Sequence, residues 1–149
     1  MQALALLSED DVRDPRAFSP PPATDEIDTI RGWPGWAEEV AAQLVSFLDL
    51  QPNWASYGAR TPRREAIEAA YELLMVLSEP ATPAPQVVPT SQKGVQLEWH
   101  RSKIDLEVEV SSPFRFGVLY ENSRTGEVRE DELITDLTPL RSWIGLLSE

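Results

Sequence analysis

The chain lacks cysteine altogether and lacks any long apolar run. Without thiols, disulfide bonds, thiolate catalysis and cysteine-ligated zinc are excluded. No stretch approaches the ~18 consecutive apolar residues of a membrane span. No basic residue precedes the short apolar run at residues 3–7, so a secretory signal is not expected. We therefore expect a cytoplasmic protein without a membrane partner.

Basic charge is also scarce. Lys and Arg number 13 against 25 Asp and Glu, which leaves a net charge of −12, and no segment of the chain is basic. Attraction to a phosphate backbone is therefore not expected to drive binding. An acidic surface instead suits a basic protein partner, or mimicry of the charge of a nucleic acid.

Catalytic motifs are equally sparse. His100 is the only histidine, and neither a GxSxG elbow nor a phosphate-cradling glycine loop is present. Serine hydrolase chemistry would need His100 beside a nucleophilic serine and an orienting acid. We expect no cofactor, and we expect that the protein is not an enzyme.

The length of 149 residues and the hydrophobic content of 42% suit one domain with a real core. Residues 8–28 are acidic and proline-rich. They contain too few large apolar side chains for burial to offset the conformational entropy that the segment would lose on folding alone. We expect residues 1–30 to form a flexible or extended lead-in, and residues 31–149 to form a single α+β domain.

Two amphipathic runs predict a helical hairpin. Pro34 suits the first turn of the first helix, and apolar residues follow at helical spacing as far as Leu48. Thr61 and Pro62 resemble the cap and first residue of the second helix. The apolar stripe of that helix is Ile67, Ala70, Tyr71, Leu74 and Leu77.

From residue 95 onward the apolar period changes from helical to two. Apolar and polar residues alternate through 95–100, 104–110 and, less cleanly, 114–120, which predicts an antiparallel meander with one apolar and one charged face. A short outer strand follows a turn in which Gly126 is available for positive φ. Val87 and Val88 are candidates for a further strand at the opposite edge.

A short amphipathic helix is predicted to close the chain from Thr138 and Pro139. Its apolar residues, Trp143 among them, either cover the apolar face of the sheet or dock into a partner or a second copy of the chain. Trp143 is therefore a candidate partner-binding residue. The predicted fold class is α+β, in which a helical hairpin and a C-terminal helix pack on one face of a three- to five-stranded antiparallel β-meander.

The stretches "PNWASYGARTPRREAIEAAYELL" and "PQVVPTSQKGVQLEWHRSKIDLEVEV" resemble a widespread group of small uncharacterised bacterial proteins. Their shared pattern is NWxxYGAxxP followed by VxPTxxxGVQLEW, and it covers roughly residues 50–110. The group often has an acid after the tryptophan, where this chain has Ala55. The resemblance implies a compact bacterial α+β unit and carries no established activity.

The loop "NWASYGA" joins the two predicted helices. Gly58 is suited to a left-handed conformation, and Asn53 is suited to cap local backbone groups. Trp54 and Tyr57 either fill the gap where the helices splay or form an aromatic pocket for a peptide or a base. Both are therefore kept as candidate binding residues.

The charged face of the predicted sheet is the second candidate site. Alternation places five side chains on it: Glu98, His100, Asp105, Glu107 and Glu109. A solvated face, a metal or acid–base site, and a surface for a basic protein are the three interpretations of this set.

Three functional hypotheses follow. The first is a non-enzymatic acidic protein-binding module that acts as the neutralising or accessory member of a bacterial gene pair, of the toxin–antitoxin or phage-defence type. The second is a DNA-charge mimic that inhibits a nucleic-acid enzyme. The third is a small hydrolase or metal enzyme that uses His100 and the neighbouring acids.

Overall fold

The computed structural model describes residues 34–113 and 115–149. The expected lead-in at residues 1–30, and Phe114 within the predicted strand alternation, lie outside the described residues. The elements in chain order are α1 (Ala37–Ser46), α2 (Arg64–Leu77), β1 (Gln86–Pro89), β2 (Val95–Arg101), β3 (Ile104–Ser112), β4 (Arg115–Asn122), β5 (Glu127–Leu133) and α3 (Thr138–Leu147).

The strands form one antiparallel sheet in the order β1-β2-β3-β4-β5, so every neighbour in the sheet is a neighbour in the chain. With the hairpin of α1 and α2 and the C-terminal α3, this arrangement confirms the predicted α+β class. The meander reaches the upper end of the predicted strand number, because both outer strands are present. β1 contains Val87 and Val88, and β5 is the predicted short outer strand, which runs as far as Leu133.

One face of the sheet is apolar because the side-chain period of two matches the period of the pleat. The buried residues of the three central strands are Val95, Leu97, Trp99, Ile104, Leu106, Val108, Val110, Phe116, Val118 and Tyr120. The helices pack on this face through apolar stripes that are also buried: Val40, Ala41, Leu44, Ile67, Ala70, Leu74, Leu77, Leu140, Trp143, Ile144 and Leu147. The interpretation of α3 as a cover for the sheet is therefore confirmed.

The predicted helix starts are wrong by a few residues. α1 begins at Ala37, and Pro34 precedes it while accepting a hydrogen bond from the Ala37 amide at 3.1 Å. α2 begins at Arg64, and the Thr61 hydroxyl donates to the Leu50 carbonyl at 2.7 Å instead of capping the helix. Thr61 therefore holds the interhelical loop to the end of the preceding segment, which composition alone does not reveal.

The same correction applies to α3. Thr138 is its first helical residue, and the Thr138 backbone amide donates to the Asp136 carboxylate at 3.0 Å. Hydrogen bonds from Thr138 lower the pKa of Asp136. An upstream carboxylate, and not the predicted threonine hydroxyl, therefore satisfies an amide at this helix start.

Residues with positive φ occur in two of the β-hairpin turns, at the positions where turns were predicted. Ser102 and Lys103 both have positive φ, 56° and 66°, which is the pattern of a type I′ turn between β2 and β3. Gly126 has the expected positive φ, 81°, between β4 and β5. The register is regular in the β2–β3 and β4–β5 pairs that these turns join, so alternate side chains stay on one face there. The β3–β4 pair has one register shift, between Val110 and Ser112.

In residues 34–113 and 115–149, no helix combines the length and the apolar character that crossing a bilayer requires.

Candidate functional site

The side of the sheet that faces away from the helices carries most of the candidate residues. Directly paired residues in an antiparallel sheet project to the same face, so the strand register defines this outer face. Its residues on the four strands β2 to β5 are Gln96, Glu98, His100, Asp105, Glu107, Glu109, Gly117, Leu119, Glu121, Val128, Glu130 and Glu132. The predicted placement of five polar side chains on one face is thus confirmed.

Carboxylates on the outer face lie directly opposite one another. Glu98 pairs with Glu107 across β2 and β3, which is destabilising for two like charges. The Gln96 amide relieves part of this repulsion, because its Nε2 donates to Glu98 Oε2 at 2.6 Å and approaches Glu107 Oε1 at 3.4 Å. The face therefore keeps its negative charge in an ordered arrangement.

His100 is held between two of these carboxylates. Its Nδ1 lies 2.7 Å from Asp105 Oδ1, and its Nε2 lies 3.3 Å from Glu98 Oε1. The hydrogen bond with Asp105, followed by that with Glu98, raises the pKa of His100. Because both ring nitrogens face a carboxylate that favours the imidazolium, neither is free to take a proton from a nucleophile. This geometry suits a structural cation better than a general base.

A metal centre receives no support from the described geometry. Within the part of the chain that the structure describes, no group of three His, Asp or Glu side chains is arranged to hold a metal ion. Glu98, His100 and Asp105 instead satisfy one another through hydrogen bonds. The outer face is therefore better described as a charged surface than as a ligand set.

The interhelical loop differs from the predicted aromatic filling. Tyr57 is fully exposed, with positive φ of 54°, so the prediction that it fills the gap between the helices is wrong. Trp54 is half-buried, and its Nε1 donates to the Arg60 carbonyl at 2.9 Å. Asn53 Oδ1 accepts from the Gly58 amide at 2.8 Å, as its predicted capping role requires. Local hydrogen bonds close this loop, and the two aromatic side chains do not make an enclosed pocket.

Trp143 is part of the core and not of a surface. It is only 6% exposed, and its ring stacks on Tyr120 with centroids 4.6 Å apart and planes 9° from parallel. The Arg129 guanidinium lies 5.8 Å from the indole centroid. Its selection as a partner-binding residue is therefore wrong, because the apolar excess of α3 is used to cover the sheet.

The outer face extends further than the candidate residues chosen from the sequence. β4 and β5 add Glu121, Glu130 and Glu132, together with two apolar side chains, Leu119 and Val128. Val128 is 62% exposed and Leu119 is half-buried. The segment "EVREDEL" has no apolar–polar alternation that would assign its faces, so the strand register is needed to place these residues beside Glu107 and Asp105.

Comparisons with family models, curated proteins and solved structures gave no match. The resemblance to the group of small bacterial proteins therefore stays a prediction. The fold and the outer face are the features of this chain that bear on function.

Proposed function

We propose that this protein is a non-enzymatic binding module whose outer sheet face takes up the basic surface of another protein. The observation that carries the proposal is the concentration of carboxylates on the face of the sheet that lies away from the helices. Arg115 approaches this face from its edge, 3.8 Å from Glu132, and His100 is already paired within it. A partner rich in Lys and Arg would supply the missing positive charge.

The size of the face suits a protein partner. Five strands spaced about 4.8 Å apart, with about seven residues rising roughly 3.3 Å each, give a face roughly 24 Å by 23 Å. That area, roughly 550 Å², is about two thirds of the ~800 Å² that each partner contributes to a standard interface. A single small ligand would leave most of it uncovered.

Two apolar side chains on the β4–β5 side of the outer face support a contact that is more than electrostatic. Leu119 and Val128 lie among the carboxylates of β3, β4 and β5. Charge complementarity mainly accelerates association and selects partners, whereas buried apolar contacts slow dissociation. A basic surface that also carries an exposed aliphatic or aromatic side chain would complement both the carboxylates and the two apolar side chains of the outer face.

Affinity purification of the tagged protein from its native host, at low and at high salt, tests the proposal. We expect one stoichiometric basic protein, identified by mass spectrometry, that dissociates at high salt. A partnerless protein at low salt would contradict the proposal. A partner encoded by a neighbouring gene is the outcome that the gene-pair hypothesis predicts.

Two further readouts separate the alternatives. If the protein mimics DNA charge, duplex DNA added to the purified complex would compete for the partner. If His100 were catalytic, His100→Ala would abolish the cellular function while leaving the captured complex intact. We expect neither result, since Arg115 and His100 interrupt the carboxylates of the outer face and both nitrogens of His100 are occupied.

A further inference from the structure

A groove of about 560 Å³ lies on the helix side of the sheet, away from the outer face. One wall is the solvent edge of α2, and the opposite side includes Phe116 of β4 and the segment that follows β5. Because Phe116 belongs to the helix-facing side of β4, the sheet separates this groove from the outer face. The two surfaces can therefore be altered independently.

The floor and rim of the groove are apolar. Leu73 and Phe116 are buried below it, whereas Val76 and Ile134 at its sides are 49% and 51% exposed. These two residues are among the few large apolar side chains that are exposed in the described part of the chain. Apolar side chains that flank a groove on both sides are typical of a binding surface.

The α2 wall carries an excess of negative charge. Glu65, Glu68 and Glu72 follow one another at spacings of three and four, which aligns them on one side of the helix. Glu68 is paired with Arg64 at 2.9 Å, but among the described residues neither Glu65 nor Glu72 has an ion pair. Burial, followed by the charge of Glu68, raises the pKa of Glu72. The described residues that line the groove include no Lys or Arg.

We propose that this groove binds a basic amphipathic helix of a partner protein. Aliphatic side chains of that helix would lie on the apolar floor, and Lys or Arg along one of its edges would face the glutamates of α2. The wall from Glu65 to Val76 is about 16 Å long, which matches about three turns of a docked helix. This site is separate from the proposed interface on the outer face.

Charge argues against two other occupants. A second copy of the chain would bring a further net charge of −12 to an already acidic wall. Residues 1–33 also contain more acids than bases, so this segment offers the wrong sign. A cationic partner helix is the occupant that complements both the floor and the wall.

The test uses a fluorescein-labelled peptide of about twelve residues, with leucine on one helical face and lysine on the other. Fluorescence anisotropy measures its binding to the full chain. A scrambled peptide of equal composition and charge controls for general attraction to an acidic protein. The groove variants are Glu65→Gln/Glu72→Gln and Val76→Ser/Ile134→Ser, all at exposed positions, and circular dichroism checks that each variant folds.

Two variants serve as matched controls. Glu38→Gln/Glu39→Gln on α1 removes the same charge as the acidic groove variant at exposed positions outside the groove. Glu107→Gln/Glu109→Gln removes the same charge from the outer face, and it measures how much of the peptide binding belongs to that second acidic surface.

We expect each groove variant to bind the peptide about tenfold more weakly than the wild type, the α1 control to bind like the wild type, and the outer-face variant to lose less binding than the groove variants. The scrambled peptide should bind more weakly than the amphipathic one. Equal binding of the two peptides, or equal binding by groove and control variants, would overturn the proposal. Self-association of the wild-type chain that the groove variants abolish, measured by analytical ultracentrifugation, would also overturn it, because it would identify self-association as the use of the groove.

Discussion

Replacement of Trp143 by alanine should destabilise the whole domain. The indole is 6% exposed and stacks on Tyr120. An aromatic side chain of this kind buries ~150–250 Å², which corresponds to about 4–6 kcal/mol at ~25 cal/mol per Å². Alanine keeps the β-carbon, so we expect a loss of about 3–5 kcal/mol, within the range for large core truncations.

Urea unfolding followed by far-UV circular dichroism measures this loss without depending on the deleted fluorophore. With a slope of about 2 kcal/mol per M, the midpoint should fall by roughly 2 M. Trp143→Phe keeps a ring against Tyr120 and should lose less. Tyr57→Ala is the control, because the Tyr57 side chain is fully exposed and its removal should leave the midpoint unchanged.

A Trp143→Ala midpoint close to that of the wild type would refute the assignment of Trp143 to the core. In that case α3 would not cover the sheet as described. Trp143 would return as a candidate for partner binding.

Further predictions concern backbone packing and titration. Gly94→Ala should cost about 1–3 kcal/mol in urea unfolding, because the added Cβ would lie 2.7 Å from the Val110 carbonyl oxygen; an unchanged midpoint would contradict that close approach. Gly145→Ala should instead stabilise the protein by about 0.5–1 kcal/mol, since it lies inside α3 with open space around its Cβ; a lower midpoint would contradict this. NMR titration of His100 should give a midpoint above 6.5, and Asp105→Asn should lower it. Because the folded pKa is raised, the stabilisation from His100 should be present at acidic pH and disappear as the pH rises through that midpoint; stability that grows with pH relative to His100→Gln would contradict the sign.

The sheet could be predicted from the sequence because its signal is local and repeated. The alternation in residues 95–100 and 104–110 is regular: every second residue is apolar, and the residues between them are polar. The type I′ turn at Ser102 and Lys103 then places Glu98 opposite Glu107. Prediction of the polar outer face succeeded because such a short turn leaves little freedom in the register.

The interhelical loop could not be predicted in the same way. Asn53, Ser56 and Tyr57 all have positive φ, although none of them is glycine. Their conformation depends on hydrogen bonds between residues several positions apart, such as that from the Gly58 amide to Asn53. The sequence shows that the loop contains aromatic residues. It does not show whether their side chains point into the core or into solvent, because that depends on the backbone conformation.

The groove was missed for a different reason. Its apolar residues come from parts far apart in the chain: Leu73 lies in α2, and Ile134 lies in the segment that follows β5. The glutamates of α2 appear in the sequence only as the solvated side of a helix. Tertiary packing is what places them beside an exposed apolar floor.

The most direct test of the outer-face proposal compares two triple variants in quantitative affinity purification from the native host. Glu107→Gln/Glu109→Gln/Glu130→Gln removes three carboxylates from β3 and β5 on the outer face, and Glu38→Gln/Glu39→Gln/Glu79→Gln removes the same charge from exposed positions on and after the helices. We predict that recovery of the basic partner falls at least about tenfold, or roughly 1.4 kcal/mol of binding free energy, with the outer-face variant alone. Equal recovery with both variants, or an equal loss from both, would contradict the assignment of the outer face as the binding surface.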